Sequence, residues 1–235
     1  MRRLKQMLLA LLLCSTAVAP SYAQVAPRGS AVPLSSVGKL HVPGQRYENG
    51  YAKHFDESCS ATLITDSPLA QSSELIISAW HCLEFYRDTS KALTFQTSNG
   101  ETRKANLLSS GGSMYSDWAL LRLDAPLPSP AVLTSPNSTH TNTVRMAGYP
   151  RLAAPQIRLK LTVSDCQVTG SDDADTRSDC VLQKGASGGA VFSRNNEERY
   201  LGVISRGDGE SLSIYVPLAR FRANISGYLE NYQLP

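Results

Sequence analysis

The sequence predicts an all-β protein whose chain ends in one helix. Short apolar and β-branched runs separated by turn residues recur along the chain, a pattern typical of barrels and sandwiches. The predicted strands cover residues 60–65, 75–78, 118–123, 143–147, 157–163, 190–192, 200–205 and 212–216. Residues 218–232 have helical spacing, with apolar side chains on one face at Phe221, Ile225, Tyr228 and Leu229. A chain of 235 residues is long enough for one large β domain or for two small barrels.

A proline-rich segment divides the predicted strands into two groups. Residues 125–136 contain four prolines, each without a backbone donor, so this segment is not expected to form a regular helix or a central strand. We interpret it as a linker between a first half at about 37–124 and a second half at about 137–216. The terminal helix then covers about 217–232. No sequence repeat relates the two halves.

Composition and charge are those of an ordinary globular protein. Apolar residues make up 42% of the chain and charged residues 18%, which is enough to build a hydrophobic core. The formal net charge is +3, and the body of the chain contains no run rich in lysine or arginine. Nucleic-acid binding is therefore not expected.

The N-terminus has the three parts of a signal peptide, which we place at residues 1–23. A basic start precedes an almost wholly apolar run at 7–18, and small residues at 21–23 provide a cleavage site after Ala23. The apolar run is short for a membrane span. We therefore expect a secreted or periplasmic protein with no stable membrane association after cleavage. Residues 24–36, rich in Ala, Pro and Ser, are interpreted as a leader or short pro-segment.

Two alternatives for the N-terminus are a retained anchor and a lipoprotein signal at Cys14. The second is weakened because Leu13 stands where a small residue is expected. Cleavage after residue 23 leaves four cysteines, Cys59, Cys82, Cys166 and Cys180. An even number of cysteines in an exported chain predicts two disulfides, and four cysteines allow three pairings. A zinc site is the alternative, and it is disfavoured because the four are far apart and form no CxxC pair.

A histidine and an aspartate each stand beside a buried-looking strand. His81 follows the apolar run that ends at Ala79-Trp80 and is adjacent to Cys82. Histidine suits a general base because its ordinary pKa lies near working pH. Asp117 opens the apolar strand at 118–123, where a buried carboxylate can orient a histidine. Taken singly, each is more simply interpreted as structural, as a histidine beside a disulfide or an aspartate at a strand start.

A serine stands among three glycines immediately before a strand. Ser187 lies in the sequence Lys-Gly-Ala-Ser-Gly-Gly, which runs into the apolar residues 190–192. Glycines allow a tight turn and a close approach of backbone to substrate. The N–H groups of such a turn can point together at a developing oxyanion. The alternative is a flexible Gly/Ser loop, which the abrupt strand after it disfavours.

The remaining titratable residues do not predict a metal site. The histidines at 41, 54 and 140 are scattered and show no ligand spacing. Asp172, Asp173 and Asp175 could bind calcium but lack a full ligand pattern, and a solvated acidic turn is the simpler interpretation. We expect no cofactor and no metal.

In the order His, Asp, Ser, these segments resemble the trypsin/chymotrypsin-like serine proteases. The similarity is greatest to the short bacterial exported branch, which is glutamyl-endopeptidase-like. It extends from about Val37 to Tyr228, and the segments Ala147-Gly-Tyr-Pro150 and Gly202-Val-Ile-Ser205 also look like family segments.

The resemblance implies two six-stranded antiparallel β-barrels with the active site between them. It implies disulfides Cys59–Cys82 and Cys166–Cys180. It implies a catalytic triad of His81, Asp117 and Ser187, with the backbone N–H groups of Gly185 and Ser187 as oxyanion hole. In the family's template mechanism, the serine attacks the scissile carbonyl and the histidine transfers the proton.

The resemblance also implies a substrate pocket and shows where this chain departs from its relatives. The pocket would be formed by Val181, Ser205, Arg206, Gly207 and Ser213. Since Val181 is not an aspartate, a preference for Lys or Arg is not expected. The isoleucine at 204, where the glutamyl branch has a histidine, weakens that specificity, and we expect an apolar or small substrate side chain. The alanine at 186 replaces the aspartate that pairs with a new N-terminus in zymogen activation, so that switch should be absent.

The predicted function is that of a serine endopeptidase acting on protein or peptide substrates as a monomer. One alternative is a catalytically silent protease-like protein that acts as a binding or effector module. Its usual mark is a broken triad, and this triad is intact. Another is an esterase, but its usual pattern has the histidine last in an α/β chain.

Overall fold

The computed structural model describes residues 34–86, 91–135, 141–151, 160–173, 175–194 and 199–230. The predicted signal peptide at 1–23, with Cys14, and most of the predicted leader lie outside the described residues. Within the described ranges, no helix combines the length and the hydropathy needed to cross a membrane.

The first six strands form a closed antiparallel barrel. They are β1 (Val37–Glu48), β2 (Tyr51–Thr65), β3 (Ser72–Ser78), β4 (Leu93–Gln96), β5 (Thr102–Ser110) and β6 (Ala119–Pro128). Their order is β1-β4-β5-β6-β3-β2, and pairing of β2 with β1 closes the barrel. A short strand, β7 (Ala131–Val132), adds to β2 in parallel.

The second barrel contains the next six strands, and one helix follows it. The strands are β8 (Thr143–Gly148), β9 (Thr162–Ser171), β10 (Thr176–Ser178), β11 (Ala190–Ser193), β12 (Tyr200–Gly207) and β13 (Ser213–Pro217). They close in the order β10-β13-β12-β11-β8-β9. The helix α1 covers Leu218–Glu230. The structure thus confirms the predicted fold class of two six-stranded barrels and a C-terminal helix.

Buried side chains form one core inside each barrel and a third between the barrels. Along β3, Ile76 points into the first barrel and Ile77 into the core between the barrels, because successive side chains of a strand face opposite sides. Along β6, Leu121 likewise points into the first barrel and Leu120 into the core between the barrels. Strands covered on both faces are continuously apolar, which explains the unbroken apolar runs in the sequence.

The helix α1 packs on the core between the barrels. Phe221, Ile225 and Leu229 are buried at helical spacing, and the Phe221 ring stacks on Trp118 with 5.2 Å between centroids. Arg222 ties the helix to the first barrel through an ion pair with Asp66. The C-terminal segment therefore stabilises the position of one barrel against the other.

The predicted linker at 125–136 contains more strand than expected. β6 continues to Pro128, and β7 lies wholly inside the predicted linker. Beyond Leu123, β6 pairs with β3 and no longer with β5, so one edge of the strand is unpaired there. A proline is tolerated because that edge needs no N–H donor.

The hairpin of β1 and β2 is longer than the sequence pattern predicted. The two strands pair from Val37↔Thr62 out to Glu48↔Tyr51, whereas a strand was expected only from residue 60. Asn49 and Gly50 make the turn with φ of 53° and 83°, and Asn-Gly is the strongest short hairpin signal. This signal could have located the hairpin.

Candidate active site

His81 lies in a one-turn 3-10 helix that follows β3. The turn covers Trp80–Leu83, and a disulfide joins Cys82 to Cys59 on β2. The disulfide fixes the backbone on one side of the histidine, while the buried Ala79 fixes it on the other. The imidazole side chain is 26% exposed and can be reached from the cleft.

Asp117 is fully buried and lies two residues before the start of β6. Its Oδ1 accepts a hydrogen bond from the His81 backbone N–H at 2.8 Å, and its Oδ2 is 2.8 Å from His81 Nδ1. Ser205 Oγ donates to the same Oδ2 at 2.5 Å. Burial opposes ionisation of this carboxyl, but the hydrogen bonds and the charge interaction with His81 outweigh it, so the pKa of Asp117 is lowered.

An ionised Asp117 determines the tautomer of His81. A carboxylate only accepts hydrogen bonds, so Nδ1 must carry the proton that it donates to Oδ2. In the neutral imidazole, Nε2 then carries a lone pair and can accept a proton from a group in the cleft.

Ser187 lies in a tight turn between Lys184 and Gly189. Gly188 has φ of +83°, and a Cβ on it would lie 2.1 Å from Ser60 O and 2.2 Å from Ser78 Oγ. Only glycine fits there. Ser187 Oγ donates to the carbonyl of Ser205 at 3.1 Å. No hydrogen bond between Ser187 Oγ and His81 Nε2 is present among the described residues, and the hydroxyl is directed to the Ser205 carbonyl instead.

The N–H groups of Gly185 and Ser187 are free to bind a substrate oxygen. The Lys184 carbonyl accepts a hydrogen bond from the Arg151 N–H at 2.5 Å, and in a planar trans peptide the Gly185 N–H points the opposite way. Within the described part of the chain, neither N–H donates to a protein acceptor. Gly185 has φ of +96°, and a Cβ on it would meet Arg151 N at 2.5 Å.

Ser60, on the first barrel, holds the serine-bearing turn of the second. Its Oγ donates to Gly185 O at 2.9 Å and accepts from the Tyr149 N–H at 2.8 Å. Its own N–H donates to Ser187 O at 2.8 Å. No sequence pattern predicted a role for Ser60, and its position directly after Cys59 is the only local signal it carries.

Two cavities meet at His81 and Ser187. One, of about 300 Å³, lies beside the β1–β2 hairpin and is lined by residues including Val42, Phe55 and Phe85. The other, of about 400 Å³, lies on the side of β12. A chain that crosses the serine therefore has a recess on each side of it.

Four of the five predicted pocket residues line the cavity beside β12. They are Ser205, Arg206, Gly207 and Ser213. Val181 is 42% exposed and does not line this cavity, and its assignment to the substrate pocket stays a prediction. Burial alternates here, with Cys180 and Leu182 buried on either side of Val181, and Leu182 lines the cavity.

The cysteines and the acidic turn have protein partners. The structure has the bonds Cys59–Cys82 and Cys166–Cys180 that the resemblance implied. Cys59, Cys82 and His81 lie close enough together to bind a metal ion. The two sulfur atoms are joined in a disulfide, however, and so are not thiolate ligands. Asp172 pairs with Arg177 and Asp175 with Arg206, as in an acidic turn stabilised by arginines.

The fold and the grouping of His81, Asp117 and Ser187 at the junction of two barrels define a protein of the chymotrypsin-like double-barrel class. A family model described as "Trypsin-like peptidase domain" matches residues 59–203, more than half of the chain. The chain belongs to this trypsin-like peptidase family. A comparison with curated protein sequences found no significant match.

Solved structures are similar to the chain in fold. One of them is a thermostable serine protease, AL20, from an extremophilic microorganism. It is 18% identical, and the alignment covers 83% of this chain and 97% of that chain with a TM-score of 0.61. At this identity the likeness shows the fold alone. The resemblance to the glutamyl-endopeptidase-like branch stays a prediction.

Proposed function

We propose that the chain is an exported serine endopeptidase that hydrolyses peptide bonds through an acyl-enzyme on Ser187. The observation that carries this proposal is the arrangement around one point of the cleft. A histidine held by a buried carboxylate faces a serine whose turn offers two free N–H donors. This combination supplies a base, a nucleophile and an oxyanion site.

The proposed reaction begins when the Ser187 side chain rotates from the Ser205 carbonyl towards His81. His81 Nε2 takes the hydroxyl proton as Oγ attacks the substrate carbonyl, and Asp117 stabilises the imidazolium through Nδ1. The Gly185 and Ser187 N–H groups donate to the oxyanion. His81 then protonates the leaving amine, and water releases the acyl group by the same steps.

The proposed substrate is a polypeptide lying across both cavities. The cavity beside β12 has apolar walls at Leu182 and Ile204 and a hydroxyl at Ser213, which favours a small or apolar side chain before the scissile bond. Two disulfides favour an oxidising compartment, which agrees with the signal peptide predicted from the sequence. We therefore propose secretion or export to the periplasm.

Labelling with a fluorophosphonate tests the proposed nucleophile directly. The hydroxyl of Ser187 would displace fluoride, and mass spectrometry of the mature protein should find one adduct on the peptide that contains Ser187. Ser187→Ala should remove the adduct and lower kcat by about 10⁶. Ser226→Ala, on the helix and distant in sequence, is the matched control and should label like the wild type.

Absence of an adduct on folded, disulfide-bonded protein would favour the catalytically silent alternative. In that case the cleft would still bind peptides without cleaving them. Incubation with a peptide library, analysed for both binding and cleavage, separates the two functions.

A further inference from the structure

An ion pair with a buried carboxylate and a half-exposed guanidinium lies next to the candidate triad. Asp175 precedes β10, and its side chain is only 9% exposed. Its Oδ2 pairs with Nη2 of Arg206 on β12, and its Oδ1 has no hydrogen-bond partner among the described residues. A buried carboxylate requires a cation, so Asp175 keeps the Arg206 guanidinium in this position.

The second guanidinium nitrogen faces the hydroxyl that supports Asp117. Arg206 Nη1 is 3.4 Å from Ser205 Oγ, and Ser205 Oγ is 2.5 Å from Asp117 Oδ2. The direction of each bond is fixed by chemistry, because a guanidinium only donates and a carboxylate only accepts. The single proton of the hydroxyl therefore goes to Asp117, and its lone pair faces Arg206.

This arrangement strengthens the hydrogen bond to Asp117. A cationic donor polarises the hydroxyl that accepts from it, which makes that hydroxyl a better donor in turn. The better donor holds the Asp117 carboxylate in the orientation in which its Oδ2 also meets His81 Nδ1. The other charged groups on the cavity wall, Glu84 and Lys184, have no contact with Ser205 Oγ or Asp117 among the described hydrogen bonds.

We propose that Asp175 and Arg206 are positioning residues for the His81–Asp117 pair and act through Ser205. The proposal rests on the proposed function, because its consequence for rate requires that His81 act as the base. It gives Arg206 a role beyond that of a pocket wall. Asp175 reaches the site only through Arg206.

The test compares Arg206→Met and Asp175→Asn with Arg177→Met. Methionine keeps the length of the arginine stem but donates no hydrogen bond, and asparagine removes the charge that holds Arg206. The control, Arg177→Met, breaks the neighbouring Arg177–Asp172 pair, which is exposed and lines neither cavity at the triad.

The first readout is hydrolysis of p-nitrophenyl acetate, a small ester with no side chain to place against Arg206. Both test variants should lower kcat about tenfold with little change in KM, as expected for loss of one charge-assisted hydrogen bond. The control should match the wild type. An unchanged ester kcat, with a raised KM for peptides only, would make Arg206 a substrate contact and overturn the proposal.

The second readout is the proton NMR signal of His81 Nδ1–H, recorded in a Ser187→Ala background. The signal should shift or broaden in Arg206→Met and Asp175→Asn and stay unchanged in Arg177→Met. A signal identical in all proteins would also overturn the proposal. This readout needs no activity, so it separates failure of the positioning proposal from failure of the proposed peptidase function.

If Arg206→Met does not fold, because it leaves the buried Asp175 carboxylate without its cation, Asp175→Asn carries both readouts alone. Arg206 is 41% exposed, so water can hydrate its guanidinium when Asp175 is neutralised.

Discussion

The two barrels contribute to the candidate site in different ways. The first presents His81 and Asp117 at the ends of β3 and β6, and their positions depend on buried side chains and a disulfide. The second presents Ser187 on a turn whose shape depends on Gly185 and Gly188, which have positive φ. One half of the site is thus built by packing, and the other by the absence of side chains.

This difference predicts how substitutions in each half of the site change stability and activity. A change in the first barrel weakens packing and lowers stability by a graded amount. A change in the turn of the second barrel meets backbone atoms that cannot move aside.

The largest effect is expected for Gly188→Ala. The added Cβ would lie 2.1 Å from Ser60 O and 2.2 Å from Ser78 Oγ, at φ of +83°, so the turn cannot keep its place against β2. We expect a loss of more than about 4 kcal/mol in unfolding free energy, and no fluorophosphonate labelling. Urea unfolding measures the first and mass spectrometry the second.

Gly209→Ala is the matched control for steric clash. Gly209 has a similar φ of +77°, but a Cβ there would meet nothing within 4 Å. Gly209→Ala should therefore lose only about 1 kcal/mol in unfolding free energy, from backbone strain. The fluorophosphonate should still label it. Equal losses in the two variants would show that φ, and not the contact with the first barrel, makes Gly188 necessary.

The two disulfides should contribute similarly to stability and differently to activity. They close segments with sequence separations of 23 and 14, so removal of either should cost about 3 kcal/mol in the chain-entropy model. Only Cys59–Cys82 holds the turn that carries His81. Replacing this pair by serines should lower kcat in folded protein, measured in low denaturant, by more than replacing Cys166 and Cys180. Equal kcat values would contradict a positioning role for the first bond.

Ser60→Ala tests the contact between the barrels. The substitution leaves the buried Gly185 carbonyl and Tyr149 N–H without their partner, which should cost about 1–3 kcal/mol in unfolding free energy. Thr62→Val is the control on the same strand, because the buried Thr62 Oγ1 has no hydrogen-bond partner among the described residues. Denaturant unfolding should find the valine variant as stable as the wild type or more so. A loss in both variants would show a packing effect instead.

The parts of the molecule that could be predicted from sequence are those with a local pattern. The apolar run before His81 and the glycines around Ser187 determine their own strands and turn. Ser60 and Gly185 form a hydrogen bond across 125 positions of the chain, and no local pattern records it.

The same limit explains the other differences between prediction and structure. Val181 was predicted to line the pocket from its sequence position, whereas it is exposed between the buried Cys180 and Leu182 and does not line the cavity beside β12. The pairing of Asp175 with Arg206 depends on the closure of the second barrel, which brings β9, β10, β13 and β12 together. These contacts form only when distant segments of the chain meet in the closed barrel. The composition and spacing near each residue could therefore not predict them.

The smallest effect is expected in the acid dependence of stability. The pKa of Asp117 is lower in the folded protein than its ordinary value, so this carboxylate adds stability above the pKa of the unfolded chain, about 3.9. That contribution is lost as pH falls through the lower, folded value. The test uses a Ser187→Ala background and measures the unfolding free energy in urea. Between about pH 5 and pH 3, this free energy should fall less in Asp117→Asn than in its parent.

Two other carboxyls with lowered pKa, Asp165 and Asp208, remain in both proteins and cancel in this difference. If Asp117→Asn declines like the parent, the stabilisation of the ionised carboxylate by His81 and Ser205 is no stronger in the folded protein than hydration is in the unfolded chain. The first barrel would then hold Asp117 in position beside His81 without stabilising the negative charge of its carboxylate.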